Sequence, residues 1–161
     1  DQMNDILATK TSRTPAKRVD IVRIQMVKEA SLLYPARRVR MARDVVDLFR
    51  EFLQETDREQ FFLLCLNTKN EPTAIHTVSI GSLDSSLVHP REVFKAAILA
   101  NSASVIVAHN HPSGDPTPSN PDIEVTKKLQ EAGELLGITL LDHIIVGSEG
   151  AYCSLKERGD M

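Results

Sequence analysis

The sequence predicts an α/β domain in which helices pack on a mixed β-sheet, and three observations carry that expectation. Short apolar runs alternate with stretches that repeat apolar residues at helical spacing. The two kinds of segment are separated by clusters of Gly, Pro, Asn and Ser, which punctuate regular structure. With 161 residues and no internal repeat, the chain has the length of one domain around one core.

Residues 1–18 are polar, with Thr, Ser, Lys and Pro15, and are expected to form a mobile leader. In residues 19–28 (VDIVRIQMVK), Val22, Ile24 and Met26 alternate with Arg23, Gln25 and Lys28, the pattern of a half-buried strand. Tyr34 and Pro35 then break the chain. A helix is expected to begin near Arg43 or Asp44, with Val45, Val46, Phe49, Phe52 and Leu53 on one face. Residues 59–66 form an apolar strand, residues 67–70 (NTKN) a hairpin turn, and residues 73–80 (TAIHTVSI) the return strand. Gly81 ends it, and a loop is expected over residues 82–90.

Residues 91–100 place Val93, Phe94, Ala97 and Ile98 at helical spacing before Asn101. Val105, Ile106 and Val107 read as a short buried strand. A third helix spans residues 121–136, with Val125, Leu129, Ala132 and Leu136 in one stripe and Gly137 as its stop. Residues 138–146 (ITLLDHIIV) make the last strand.

No apolar run reaches the length of a membrane span, and the N-terminus lacks the apolar core of a signal peptide. Cys65 and Cys153 form no CxxC pair, so free thiols in the cytoplasm are expected. The net charge of −3 hides an asymmetry. Residues 10–43 carry Lys10, Arg13, Lys17, Arg18, Arg23, Lys28, Arg37, Arg38, Arg40 and Arg43 against only Asp20 and Glu29. Such an arm suits nucleic acid or another acidic surface, or it docks on the chain's own acidic body.

The chemistry concentrates in AHNHPSGDPTPSNPD, residues 108–122. His109 and His111 follow the buried strand two residues apart, so both imidazoles leave on one face. The Pro- and Gly-rich loop after them is neither helix nor strand. Ser119 and Asn120 each offer a cap to the next helix, Pro121 fits its first turn, and Asp122 lies in that turn. Two imidazoles and a carboxylate suit a divalent cation, zinc rather than magnesium. Asp115 in the loop competes with Asp122 for the carboxylate role. Asn110, between the histidines, points to the opposite face. His76 and His89 have no partner in sequence and are expected to be exposed or capping.

The spacing His-x-His-Pro-x6-Ser-x-x-Asp resembles the signature of the JAMM (MPN or JAB) metalloprotease superfamily. HNHPSGDPTPS, VHPREVFK and LDHIIVG are similar to its bacterial branch, the RadC-like proteins historically labelled DNA repair proteins. The resemblance covers residues 39–161 and leaves residues 1–38 as a basic, partly strand extension. It implies a single JAB1/MPN-like, cytidine-deaminase-like domain holding one zinc ion on His109, His111 and Asp122. Its spacing selects Asp122 over Asp115.

In that superfamily a Glu at the start of the first core strand is the general base, and Glu59 matches it. Glu92, at the start of a helix, is the second candidate. Ser119 takes the family's role of polarising the scissile carbonyl, in competition with its capping role. His143 belongs to the family's last-strand word but reads as a core histidine bonded to Asp142 or the backbone. The resemblance implies a peptidase or isopeptidase acting on a peptide or protein. The alternatives are a nucleic-acid-binding module with a structural metal, and a protein-interaction scaffold without activity. The His-x-Glu, His-Glu-x-x-His and paired-cysteine patterns of other zinc proteins are missing.

Overall fold

A computed structural model describes residues 13–53, 58–80 and 88–161. Among them the elements run α1 (Ala42–Phe52), β1 (Gln60–Leu66), β2 (Pro72–Ile80), α2 (Pro90–Leu99), β3 (Ser104–Asn110), α3 (Asn120–Leu136), β4 (Thr139–Val146), β5 (Tyr152–Ser154) and α4 (Leu155–Arg158). The strands form one sheet in the order β2-β1-β3-β4-β5. β1 is antiparallel to both β2 and β3, β3 is parallel to β4, and β4 is antiparallel to β5. The mixed sheet flanked by helices is the expected architecture.

The parity of β1 and β3 divides the core between the two faces of the sheet. Phe61, Leu63, Cys65, Val105 and Val107 face α2 and α3, where Val93, Phe94, Val125 and Leu129 meet them. Phe62, Leu64, Leu66, Ile106 and Ala108 face α1, against Val45, Val46 and Phe49. A central strand buried on both faces has no polar side to display, which is why FFLLCL, after Gln60, is an unbroken apolar run rather than an alternating one. His109 continues the odd-numbered series and therefore lies on the α3 side of the sheet.

Local chemistry explains the boundaries. The side chain of Asn67 accepts from the backbone N–H groups of Lys69 and Glu71, and Asn70 takes the left-handed conformation, closing the β1–β2 hairpin. His89 caps α2 by accepting from the Arg91 N–H, ahead of Pro90. Gly137, at φ 70°, ends α3 in the left-handed region.

Two differences from the sequence reading stand out. Residues 19–28 form no strand: every residue from 13 to 33 is exposed and outside regular structure. Alternation supplies two faces but not a neighbouring strand, and among the described residues no strand pairs with residues 19–28. β5 and α4 were not anticipated, because three and four residues are too few to display a period. Phe52 is partly exposed but packs edge-on against Phe62. The expected leader over residues 1–12 and most of the expected 82–90 loop lie outside the described residues.

Candidate metal centre

Three segments converge at one end of the sheet: the residue before β1, the end of β3 with its loop, and the first turn of α3. Antiparallel pairing sets Phe61 opposite His109, so Glu59, two residues earlier, reaches the ligand end of β3. Asn110 secures that approach. Its Oδ1 accepts from Gln60 N–H at 2.7 Å and its Nδ2 donates to the Arg58 carbonyl at 3.0 Å, bracketing Glu59 on both sides. The loop after His111 is held to the end of β4 by the bonds His111 N–H to Val146 O and Ser148 N–H to Gly114 O, both 3.0 Å. A Cβ on Gly147 would collide with the Gly114 carbonyl, so only glycine permits that approach.

Glu59, His109, His111 and Asp122 come together, each offering one ligand atom within 4.8 Å of the others. His109 and Asp122 are buried. His109 Nε2 lies 3.0 Å from His111 Nε2 and 3.2 Å from Asp122 Oδ1, and His111 Nε2 lies 3.2 Å from Asp122 Oδ2. Glu59 Oε1 stands 3.8 Å from His109 Nε2.

The chemistry of these atoms calls for a cation. His111 Nδ1 lies 2.8 Å from the Asp115 carbonyl, which only accepts, so in the neutral ring Nδ1 carries the hydrogen and Nε2 is a bare lone pair. Asp122 Oδ1 is buried and has no hydrogen-bond partner, with His109 Nε2 3.2 Å away. Lone pairs gathered in a buried space repel unless something positive lies between them. Burial opposes ionisation of Asp122, yet contacts with His109, His111 and the Ser119 N–H hold its carboxyl far below the usual range. Hydrogen bonding to Asp122 lifts His111 above an ordinary imidazole, against the pull of its own burial. Imidazole nitrogens and carboxylate oxygens are a donor set that would suit a divalent metal ion.

Ser119 caps α3, accepting from Asp122 N–H at 3.2 Å while its own N–H donates to Asp122 Oδ2 at 2.8 Å. The capping role expected of Ser119 is thus present. The cap uses the oxygen as acceptor, which leaves the hydroxyl hydrogen of this exposed side chain for another partner.

Glu92 lies elsewhere, on α2, paired with Lys95 at 3.0 Å, a contact that holds its carboxyl below the ordinary value. The Asp115 carboxylate is occupied by Thr117 N–H and Oγ1, while its carbonyl orients His111. His76 is exposed.

His143 is a core histidine, but its ring partners differ from those expected. Asp142 Oδ1 accepts from the His143 backbone N–H, whereas the ring meets His109 Nδ1 at 2.7 Å and Thr126 Oγ1 at 2.6 Å. Complete burial, with His109 beside it, pushes His143 well below an ordinary imidazole. Thr126 was not singled out from the sequence, although its position four residues after Asp122 puts both on one helix face. Both cysteines are free, and burial raises the Cys65 thiol above its ordinary value. No helix among the described residues is long and apolar enough to cross a membrane.

Comparison with known proteins identifies a family. Residues 39–160 match the family model described as RadC-like JAB domain. A UPF0758 protein of Methanosarcina barkeri is 56% identical over 125 residues, covering 78% of this chain and 54% of that protein. One from Caldanaerobacter subterraneus is 57% identical over 116 residues, covering 72% and 49%, and one from Desulforamulus reducens is 56% identical over 121 residues, covering 75% and 53%. The chain thus spans about half the length of the curated relatives it matches. It belongs to the RadC-like JAB domain family.

Proposed function

We propose that this domain is a zinc-dependent hydrolase of peptide or isopeptide bonds. The observation that carries the reading is the convergence of Glu59, His109, His111 and Asp122 within 4.8 Å at an end of the sheet. His109, His111 and Asp122 would hold the ion. Zinc so held supplies Lewis acidity and makes a water nucleophilic near neutral pH. Glu59 accepts the proton of that attacking water and returns it to the leaving amine. Asn110 holds the backbone on either side of Glu59, which supports a place for its carboxylate beside the cluster. The free hydroxyl hydrogen of Ser119 donates to the carbonyl oxygen as negative charge develops there.

The test is metal content followed by turnover. Protein purified without added metal is expected to carry about one zinc per chain, lost in Asp122→Ala. Glu59→Gln should keep the metal and lose hydrolysis of a peptide library. Full turnover in that variant would remove Glu59 from the mechanism.

The exposed, extended arm favours a second reading, in which residues 13–43 contact nucleic acid through Arg13, Lys17, Arg18, Arg23 and Lys28. Its signature is binding that weakens steeply with salt, as displaced counterions return to the phosphates. Binding insensitive to salt, or absent on both single- and double-stranded DNA, would exclude it.

A further inference from the structure

We infer that Thr126 and His143 are positioning residues that choose which nitrogen of His109 faces the metal centre. The inference rests on the metal reading above and extends it beyond the ligands themselves.

The proton direction follows from one end of a chain of three hydrogen bonds. Thr126 Oγ1 lies 2.7 Å from the Asp122 backbone carbonyl, one helical turn earlier. A carbonyl cannot donate, so the single hydroxyl hydrogen of Thr126 is committed to it. The 2.6 Å contact between Thr126 Oγ1 and His143 Nδ1 must then be donated by the ring. His143 is fully buried with no carboxylate on its ring, so it is neutral and carries one hydrogen, on Nδ1. Its Nε2 is therefore an acceptor, and the 2.7 Å contact with His109 Nδ1 is donated by His109. That leaves His109 Nε2 as the bare lone pair, and Nε2 is the atom 3.2 Å from Asp122 Oδ1 and 3.0 Å from His111 Nε2.

The chain starts and ends on the same residue. Asp122 offers its carboxylate to the cluster and its carbonyl to Thr126, so the first turn of α3 both supplies a ligand and sets the tautomer of another. His111 is set separately, by the Asp115 carbonyl. Buried histidines that bind metal are commonly oriented by a carboxylate or a carbonyl on the far nitrogen. Here a neutral histidine does that work, and it accepts only because Thr126 holds its other nitrogen in the donor state. Phe61 stacks on His109 and meets His143 edge-on, closing the pair off from water.

The experiment uses the whole chain and has two readouts. Long-range proton–nitrogen NMR of the metal-free protein at mildly alkaline pH reports which imidazole nitrogen carries hydrogen. The five histidines are few enough to assign by substitution. Zinc affinity is measured by competition with a chromophoric chelator, using zinc ion alone.

Wild type should show His109 protonated on Nδ1. Thr126→Val, which keeps the shape and removes the hydroxyl, should show mixed tautomers and bind zinc about 10–100-fold more weakly. Thr126→Ser should restore both. A His109 protonated on Nε2 in wild type overturns the inference. So does a Thr126→Val variant with unchanged tautomer and affinity. If wild type binds no zinc but His109 carries its hydrogen on Nδ1, the metal reading fails and the relay stands. Should Thr126→Val not fold, the wild-type and Thr126→Ser spectra decide the question.

Discussion

Residues 19–28 and β3 are both built from β-branched and apolar residues, and they end in opposite states. Ile24 in the arm is 71% exposed and Ile106 in β3 is 3% exposed. The arm has the cleaner alternation, yet β3 is the strand, because it has β1 on one side and β4 on the other. Pairing satisfies its backbone, and the two faces of the sheet bury its side chains between α1 and the α2–α3 pair. An alternating pattern states which side chains would share a face. It does not provide the neighbour that makes a strand. The same pairing holds His109 in place, since β3 is bonded on both sides.

The contrast is most sharply tested by matched truncations. Phe62→Ala, in a strand paired on both sides and packed against Phe49 and Phe52, should cost about 3–5 kcal/mol in urea unfolding. Ile24→Ala should change stability by no more than about 0.5 kcal/mol. Removal of residues 1–33 should leave the unfolding midpoint and the zinc content where they were. A large loss from either change in the arm would mean that it packs against something in solution.

Asn110→Ala comes next, at about 1–3 kcal/mol, because it strands the Gln60 N–H and the Arg58 carbonyl. Faster hydrogen exchange at Gln60 is the accompanying sign; unchanged exchange would mean the bracket around Glu59 is not formed.

Asp142 gives a smaller, pH-dependent effect. Burial lifts its carboxyl above the ordinary value despite bonds from Ser154 Oγ at 2.5 Å, His143 N–H at 2.7 Å and Lys156 N–H at 3.1 Å. A raised acid favours the protonated fold. Stability should therefore fall as pH rises from the ordinary aspartate value, about 3.9, through the higher folded value. Asp142→Asn should flatten that segment of the denaturation profile; an unchanged slope would assign it to another group.

Glu71 should matter least. Its half-buried carboxylate is held low by Asn67 and then Arg37, so its contribution is present at neutral pH and lost as pH falls through its folded value. Glu71→Gln should lower Tm slightly, and added salt should erase the difference.

Local rules act over a few residues, and what they govern was legible in the chain. Apolar periods located α1, α2, α3 and three strands to within a residue or two, and the apolar half of β3, because burial on one face or two leaves a trace in composition. The placement of both histidines on one face followed from the two-residue period of a strand. Ser119, Pro121 and Asp122 marked the start of α3 because unsatisfied helical N–H groups select such residues.

Choices between distant parts of the chain belonged to the tertiary structure. Glu59 rather than Glu92 meets the cluster because β1 runs antiparallel to β3 in the register that sets Phe61 opposite His109. Asp122 rather than Asp115 offers its carboxylate because α3 returns over the same face of the sheet. Thr126 and His143 entered the site through that crossover and the adjacent β4. Register and crossover are set by packing summed over the whole sheet, and no window of neighbouring residues contains that sum.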